Sequence, residues 1–510
     1  MSTAAPLPPY TRLATSSLAL LLAINLFNYI DRQVLSAVLS RLEVDPSILA
    51  ADDPLKKTKL GWLTPAFLFT YMFASPIFGR LAVRYRRWAL VGIGVIVWSL
   101  ASGGSGLARS IGPIDGFWIL LITRCLVGIG EAAYGPVAPA MISDLFPESR
   151  RGQMMAWFYM AIPVGSALGF VLGGLMVDTS WGWRGAFYLV VLPGILLGFL
   201  AFTMREPPRV GKQEIQPWRA VLKELRGIRS FVLCSAGMTF STFVLGGVAV
   251  WVVTYIYERE ARFDFSEAKI ALVSTEQEKL TNGIPSEVLQ KLKQFPKNEN
   301  LTYKDAQSHL KVAGLTDKEL ENEQSKIFKA YSARPSMDLD AINQNFGLIL
   351  VIGGIIATFT GGILGDKLRG KIRGAYFVVS GGSALVALPL YLAVFFVPFP
   401  LAWVFLAGTI FCLFLNTGPA NTILANVTRS PIRATAFAIN ILIIHLLGDA
   451  ISPAIIGMIA DFSSLETGLM LVTPFILGAG VLWLYGARTL DEDTAVISQA
   501  EHPAPSSPTI

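Results

Sequence analysis

The sequence predicts an all-α polytopic membrane protein, with twelve transmembrane helices in two six-helix pseudo-repeats. Three observations predict it. Of the 510 residues, 53% are hydrophobic and only 15% charged, where a soluble globular chain carries about 25% charged residues. Apolar runs of about 20 or more residues recur almost end to end, each long enough to cross a bilayer. Several motifs also repeat at one fixed offset between the two halves. This composition excludes a soluble enzyme, a DNA-binding factor and a disulfide scaffold. The formal charge of +6 reports loop orientation in a membrane protein, so no nucleic-acid partner is read from it.

Walking the chain in order, spans fall near 16–41, 60–83, 87–108, 117–146, 152–177 and 183–204, then 229–257, 341–366, 373–396, 400–428, 433–460 and 468–488. The first is too long for a signal peptide and has no small-residue cleavage site after it, so it stays as a helix. Basic residues set the topology. Arg80, Arg84, Arg86 and Arg87 follow span 2, and Arg150 and Arg151 follow span 4. Lys367, Arg369, Lys371 and Arg373 follow span 8, and Arg429 and Arg433 follow span 10. Both termini are therefore expected to be cytoplasmic.

The expected organisation is an N-terminal bundle over 1–204, a cytoplasmic linker over 205–228, a C-terminal bundle over 229–490 and a disordered tail over 491–510. Inside the second bundle, residues 258–340 hold 13 basic and 15 acidic residues. That segment reads as a small, loosely helical extracytoplasmic insert, with short amphipathic helices at Pro285–Lys293 and Asp317–Tyr331. Sparse apolar positions such as Val288, Leu289, Leu292, Leu320, Ile327 and Phe328 allow only a small core.

The repeat is specific. Gly79 and Arg84 match Gly362 and Lys367, Gly135-Pro136 match Gly418-Pro419, and Gly165, Gly174 and Asp178 match Gly448, Gly457 and Asp461, all 283 positions apart. Two parallel six-helix halves are the major facilitator architecture, whose substrate site lies midway through the bilayer between them.

Function is then read from polar groups inside the spans, since a charge at mid-helix costs about 2.5–3.5 kcal/mol on insertion scales. Asn25, Asn28 and Arg32 share a face of span 1, with Asp31 beside Arg32. Arg124, Gly128, Glu131 and Gly135 form one stripe on span 4, next to Tyr134. The four charges could pair for structure, Asp31 with Arg124 or Arg32 with Glu131. Alternatively they form a titratable centre whose guanidiniums grip an anionic head group when the carboxylates are neutralised. In the second half, Asn416, Asn421 and Asn440 suit interhelical hydrogen bonds or a cavity wall. His445 and Asp449, one turn apart, are either a second proton site or packing residues.

Other chemistries find no support. Cys125, Cys234 and Cys412 sit singly in apolar runs, and the three histidines form no metal-ligand motif. There is no Walker sequence and no nucleophile elbow, so no catalytic residue and no cofactor is expected.

Asn28-Tyr29-Ile30-Asp31-Arg32 resembles the N-Y-x-D-R signature of the Spinster-like branch of the major facilitator superfamily. Gly61-Trp62-Leu63-Thr64, Gly79-Arg80-Leu81, Arg124 to Glu131, Ala138-Pro139, Asp144-Leu145-Phe146, Arg151 and Ile162 to Ser166 are similar to that branch in order. The likeness is dense in the first half and thinner in the second. It implies a bacterial-type homologue in the inner (plasma) membrane, acting as a transporter of lysophospholipid or sphingosine-phosphate-like lipids. Proton coupling falls on Asp31 and Glu131, with Arg32, Arg124, Asn28 and Tyr134 as head-group or switch residues. Gly79, Arg84, Arg151 and Asp366 would form a cytoplasmic gate. One departure stands out: Val83 occupies a position where the family has an acid. Asp366 keeps the acid in the second half, where it could latch to Arg429 or Arg433.

The expected activity is alternating-access secondary transport of an amphipathic anionic lipid, driven by protons and needing no other cofactor. The alternatives are a symporter of a small organic anion, such as a sugar acid or sugar phosphate, and a non-transporting sensor that uses the outer insert. Membrane lipids are the other expected partners, and the chain is expected to act as a monomer.

Overall fold

A computed structural model of the chain describes residues 9–49, 56–112, 114–177, 179–207, 216–275, 286–293, 300–312, 315 and 327–501. Twelve helices in it are long and apolar enough to cross a membrane: Arg12–Leu39, Lys59–Arg84, Arg87–Gly106, Gly116–Leu145, Glu148–Gly173 and Gly182–Thr203 in the first half, and Arg229–Glu260, Ala341–Leu368, Ala375–Phe396, Leu401–Asn426, Ser430–Phe462 and Leu465–Gly486 in the second. These are spans 1 to 12 below.

Five of them are interrupted where the sequence dictates, the first being span 2, which turns at Trp62 between Lys56–Gly61 and Leu63–Arg84, just before Pro65. Span 4 is Gly116–Ala132 followed by Val137–Leu145, broken at Gly135-Pro136. Span 10 is Leu401–Leu415 followed by Thr417–Asn426, broken beside the repeat-related Gly418-Pro419. Proline supplies no N–H to the ladder, so both breaks leave free carbonyls that a membrane tolerates only inside the bundle. Span 12 divides before Pro474, and span 11 carries a π-turn at His445–Asp449 before Pro453.

Spans 2 and 11, and spans 5 and 8, pack across the two halves. A Cβ on Gly79 would stand 2.7 Å from Ala438 Cβ and 2.8 Å from Ala434 O, so only glycine lets spans 2 and 11 approach so closely here. The end of the bundle carrying Arg84, Arg151 and Arg369 is called the basic end; the opposite end carries the insert.

Two expectations are corrected, for the insert and for the tail. The insert is not wholly helical: Arg262–Phe263 pairs antiparallel with Leu301–Thr302. Helices Glu267–Thr275, Ser286–Lys293 and Tyr303–Val312 accompany this pair. Phe263, Phe265, Leu292, Leu310, Phe328 and Tyr331 are buried together in a core of its own. Residues 317–326 of the second amphipathic stretch lie outside the described residues. The linker contains a helix, Trp218–Gly227.

The expected disordered tail is helical over Leu490–Glu501. Its first-turn acids face helix N-termini, where negative charge is favoured. Asp493 accepts from Ser230 N at 2.8 Å, and Asp491 from Gly374 N at 3.3 Å. The tail's prolines begin only at Pro503, outside the described residues.

Candidate functional site

A cavity of about 240 Å³ lies between the halves, midway along the spans. Span 1 lines it with Asn25, Asn28, Tyr29 and Arg32, span 2 with Tyr71, and span 4 with Glu131 and Tyr134. Opposite stand Met238, Ser241 and Thr242 of span 7, Asn416 and Asn421 of span 10, and Asn440 and His445 of span 11. A larger cleft of about 590 Å³ opens at the basic end among Glu148, residues 369–373 and the C-terminal helix. Two of its cations are already held in ion pairs, Arg369 with Glu148 and Arg373 with Glu492. The central cavity, where buried charge converges, is therefore the candidate site.

Arg32 is its focus. Its Nε and Nη2 donate to Glu131 Oε2 at 2.8 and 2.5 Å. Three rings cage the guanidinium, Tyr29 and Phe67 with centroids at 4.9 Å and Tyr71 at 5.2 Å, an arrangement that stabilises a cation in a dry site. The Arg32 side chain is 21% exposed and Glu131 only 1%, so the guanidinium faces the cavity and the carboxylate stands behind it. Among the described residues, neither buried Glu131 Oε1 nor Asn28 Nδ2 beside it completes a hydrogen bond of ordinary geometry.

Asp31 and Arg124 are placed elsewhere, which corrects the expectation that all four charges line one site. Successive residues on a helix point about 100° apart, so Asp31 turns away from the cavity toward span 3. There Ser102 Oγ donates to Asp31 Oδ1, while buried Oδ2 has no hydrogen-bond partner among the described residues. Arg124, also on the first-half interior, donates to Ser105 Oγ at 2.9 Å and lies over the Phe187 ring at 5.4 Å. Arg124 lies two turns, about 10 Å, along the same helix from Glu131. Span 2 closes against span 4 between the two charges, where a Cβ on Gly128 would meet Phe67 O at 2.5 Å and Tyr71 N at 3.0 Å. Ser102 and Ser105 were missed from sequence, although Ser99, Ser102 and Ser105 recur every third residue on span 3.

Among the remaining predicted residues, Tyr134 presents its ring to the cavity but donates its hydroxyl to Leu21 O at 2.5 Å. Asn421 accepts from Tyr159 OH at 2.8 Å, a bond that crosses the halves. Asn416 donates to Ser241 Oγ at 3.3 Å, and Asn440 Oδ1 is buried without a partner. His445 Nδ1 lies 3.0 Å from both Asp449 oxygens, and its ring meets the Tyr71 ring edge-on at 5.7 Å. His445 and Asp449 are thus joined, and His445 reaches across to the ring that also cages Arg32. Asp449 itself does not line the cavity.

The basic end is closed by bonds between the halves. Arg151 Nη1 donates to Asn426 Oδ1 at 2.8 Å, Arg433 pairs with Asp144, and Thr435 Oγ1 donates to Gly79 O at 3.1 Å. Arg87 holds the other oxygen of Asp144 at 2.5 Å. Asp366 accepts from Gly152 N at 3.0 Å, Gln153 N at 2.7 Å and Tyr376 OH at 2.7 Å. It latches to backbone at the start of span 5, not to Arg429 or Arg433. Arg84 is exposed over the Tyr85 ring and takes no part in this seam.

Comparison with known proteins follows this geometry. Residues 21–275 match the family model described as Major Facilitator Superfamily. The chain is 30% identical over 522 aligned positions to protein spinster homolog 3 of Danio rerio, covering 97% of this chain and 89% of that one. It is 39% identical over 251 positions to human protein spinster homolog 1, covering 47% and 45%. A crystal structure of a bacterial homolog to the human lysosomal transporter Spinster, inward-facing and unoccupied, overlaps 96% of this chain and 99% of its own length. The TM-score is 0.54 at 20% identity, a likeness of fold.

Proposed function

The chain belongs to the Spinster-like branch of the major facilitator superfamily, and from that premise we propose that it carries an amphipathic anionic lipid, of lysophospholipid or sphingosine-phosphate type, by proton-coupled alternating access. One observation carries the reading: the cation facing the cavity, Arg32, is held by a carboxylate buried behind it. Protonating Glu131 weakens that pair and releases the guanidinium to an anionic head group, which it can grip bidentately. Deprotonation recaptures Arg32 and expels the anion. The aromatic cage around Arg32, with Phe158 and Tyr159 nearby, suits an adjoining apolar chain. With the basic end on the cytoplasmic side by the positive-inside rule, its seal supports reading this conformation as the one closed to the cytoplasm.

A small organic anion is the second reading. A volume of about 240 Å³ and a second-half wall of amide and hydroxyl groups favour a compact, hydroxyl-bearing acid. Proteoliposomes with an inward proton gradient decide between them. Uptake of labelled lysophospholipid, competed by its sphingoid counterpart and not by sugar acids or sugar phosphates, is the expected result. Uptake of the sugar acid alone would replace the lipid reading.

A further inference from the structure

We propose that the linker helix Trp218–Gly227 docks on an anionic lipid leaflet, and that this contact favours closure of the basic end. Val221 and Leu225 are buried against the bundle. Turning from that ridge, the next face carries Trp218 and Leu222, which are 37% and 44% exposed. The face after it carries Arg226, Arg219 and Lys223, all exposed. Among the described residues none of these three makes a hydrogen bond or ion pair. An exposed apolar edge flanked by cations is the pattern of a helix lying in the headgroup region.

Position supports this. Only Ile228 separates the helix from span 7, which begins at Arg229, so the helix lies within one residue of a membrane-crossing segment. Three exposed cations at that level, without an ion-pair partner among the described residues, attract an anionic leaflet and are indifferent to a zwitterionic one.

The helix also touches both halves. The Arg80 guanidinium at the end of span 2 stacks over the Trp218 ring at 5.0 Å. Glu224 on the opposite side binds Arg429, just before span 11, through two bonds of 2.8 and 2.6 Å. Val83, where the family has an acid, lines a small cavity with Trp218, Val221 and Ile432. Separating the halves at this end must pull the helix off one partner, so a leaflet that fixes the helix in place opposes the separation.

The test reads closure directly and needs no transport, so it fails or succeeds independently of the proposed substrate. Spin labels on Arg84→Cys and Lys371→Cys, exposed and on opposite halves, report the spacing at the basic end by pulsed electron resonance. Cys125→Ser is added, because Cys125 is the most exposed of the three native cysteines. The full chain is placed in nanodiscs of phosphatidylcholine alone, or with one lipid in three replaced by phosphatidylglycerol. The anionic lipid is expected to raise the ratio of short to long distances at least threefold. The R219Q/K223Q/R226Q variant should lose that response while matching the parent in phosphatidylcholine. Leu222→Ser should weaken it. An undiminished response in the triple variant overturns the proposal, as does an equal response to soluble glycerophosphoglycerol, which would make the ligand a free anion.

Discussion

Arg151 and Arg433 stand at equivalent places in the two halves and each reaches across to the other's partner. They are 282 positions apart. Arg151 Nε donates to Ser143 O and Phe146 O, and Arg433 Nε to the matching Ala425 O and Thr428 O. The first then holds Asn426 of the second half, and the second holds Asp144 of the first. Asp144 and Asn426 are themselves 282 positions apart. The seal is therefore a two-fold exchange in which one side is ionic and the other neutral.

That asymmetry sets an order of effects. Removing a partner from a buried ion pair costs more than removing a neutral hydrogen bond. Arg433→Ala should lower stability by about 2–3 kcal/mol, because Asp144 keeps Arg87 and the Ser430 hydroxyl but loses its second cation, and Arg151→Ala by about 1 kcal/mol. Denaturation in detergent compares them, and an Arg151→Ala loss equal to that of Arg433→Ala would contradict the ionic assignment.

Glu131→Gln leaves Arg32 with a neutral neighbour that cannot exchange a proton. Counterflow of labelled substrate should persist, while accumulation driven by a proton gradient falls at least tenfold. Retained gradient-driven accumulation would remove Glu131 from the coupling path.

Asp31 sits in a different surrounding. Ser102 donates to it from span 3, and a donor to a carboxylate favours the charged form. Ser102→Ala is expected to move the pH midpoint of transport by about half a unit or more, with little change in thermal stability. Asp31→Asn should abolish the pH dependence. An unmoved midpoint in Ser102→Ala, together with lost stability, would make the serine a packing residue only.

Val83 is the repeat partner of Asp366, 283 positions away. Asp366 caps the start of span 5 through Gly152 N and Gln153 N, whose counterparts are Ala434 and Thr435 at the start of span 11. Val83→Asp should reach those N–H groups and add about 0.5–2 kcal/mol, raising the melting temperature and slowing turnover. A lower melting temperature would mean that the buried carboxylate finds no donor there.

At the insert end, Asp45 links span 1 to span 6. Burial alone would raise its carboxyl, but bonds from Ser47, Trp183 and Arg184 outweigh that and hold it down at about 2. A depressed carboxyl contributes stability above the ordinary carboxylate range, and that contribution is lost as pH falls toward 2. Asp45→Asn should therefore lower the melting temperature at pH 7 by about 2–4 °C, with a gap that narrows below pH 4. A gap independent of pH would show that shape, not charge, matters at this position.

Much of this arrangement was legible in the sequence, and the exceptions have physical reasons. Span positions and the breaks at Gly135-Pro136 and Gly418-Pro419 follow from hydropathy and missing N–H donors, which are local properties. The Arg32–Glu131 pair is one of two pairings open on paper, the other being Asp31 with Arg124; those two instead take hydroxyl partners on span 3, Ser102 and Ser105, which no charge pattern announces. Asp31 and Arg124 were expected in the cavity because a stripe on a helix fixes which residues share a face, not which neighbour covers it. Asp366 was assigned a cation because like seeks unlike in sequence; backbone N–H groups at a helix start leave no such trace. The tail helix was hidden by the prolines beyond it.

The π-turn at His445–Asp449 keeps a record of how the two halves diverged. Arg151 and Arg433 are 282 positions apart, yet Gly165 and Gly448 are 283 apart. Span 11 has therefore gained one residue over span 5 within that stretch, and a π-turn is the form a helix takes when it absorbs a single insertion without losing register on either side. The extra residue falls in the turn that brings His445 to the Tyr71 ring. His445 then has no twin in the first half, and the imidazole and its carboxylate are an addition to an inherited, symmetric frame. Deleting Leu446 should restore an ordinary helix, carry the 282-position offset of Arg151 and Arg433 on through Gly165 and its partner, and rotate the imidazole out of the cavity.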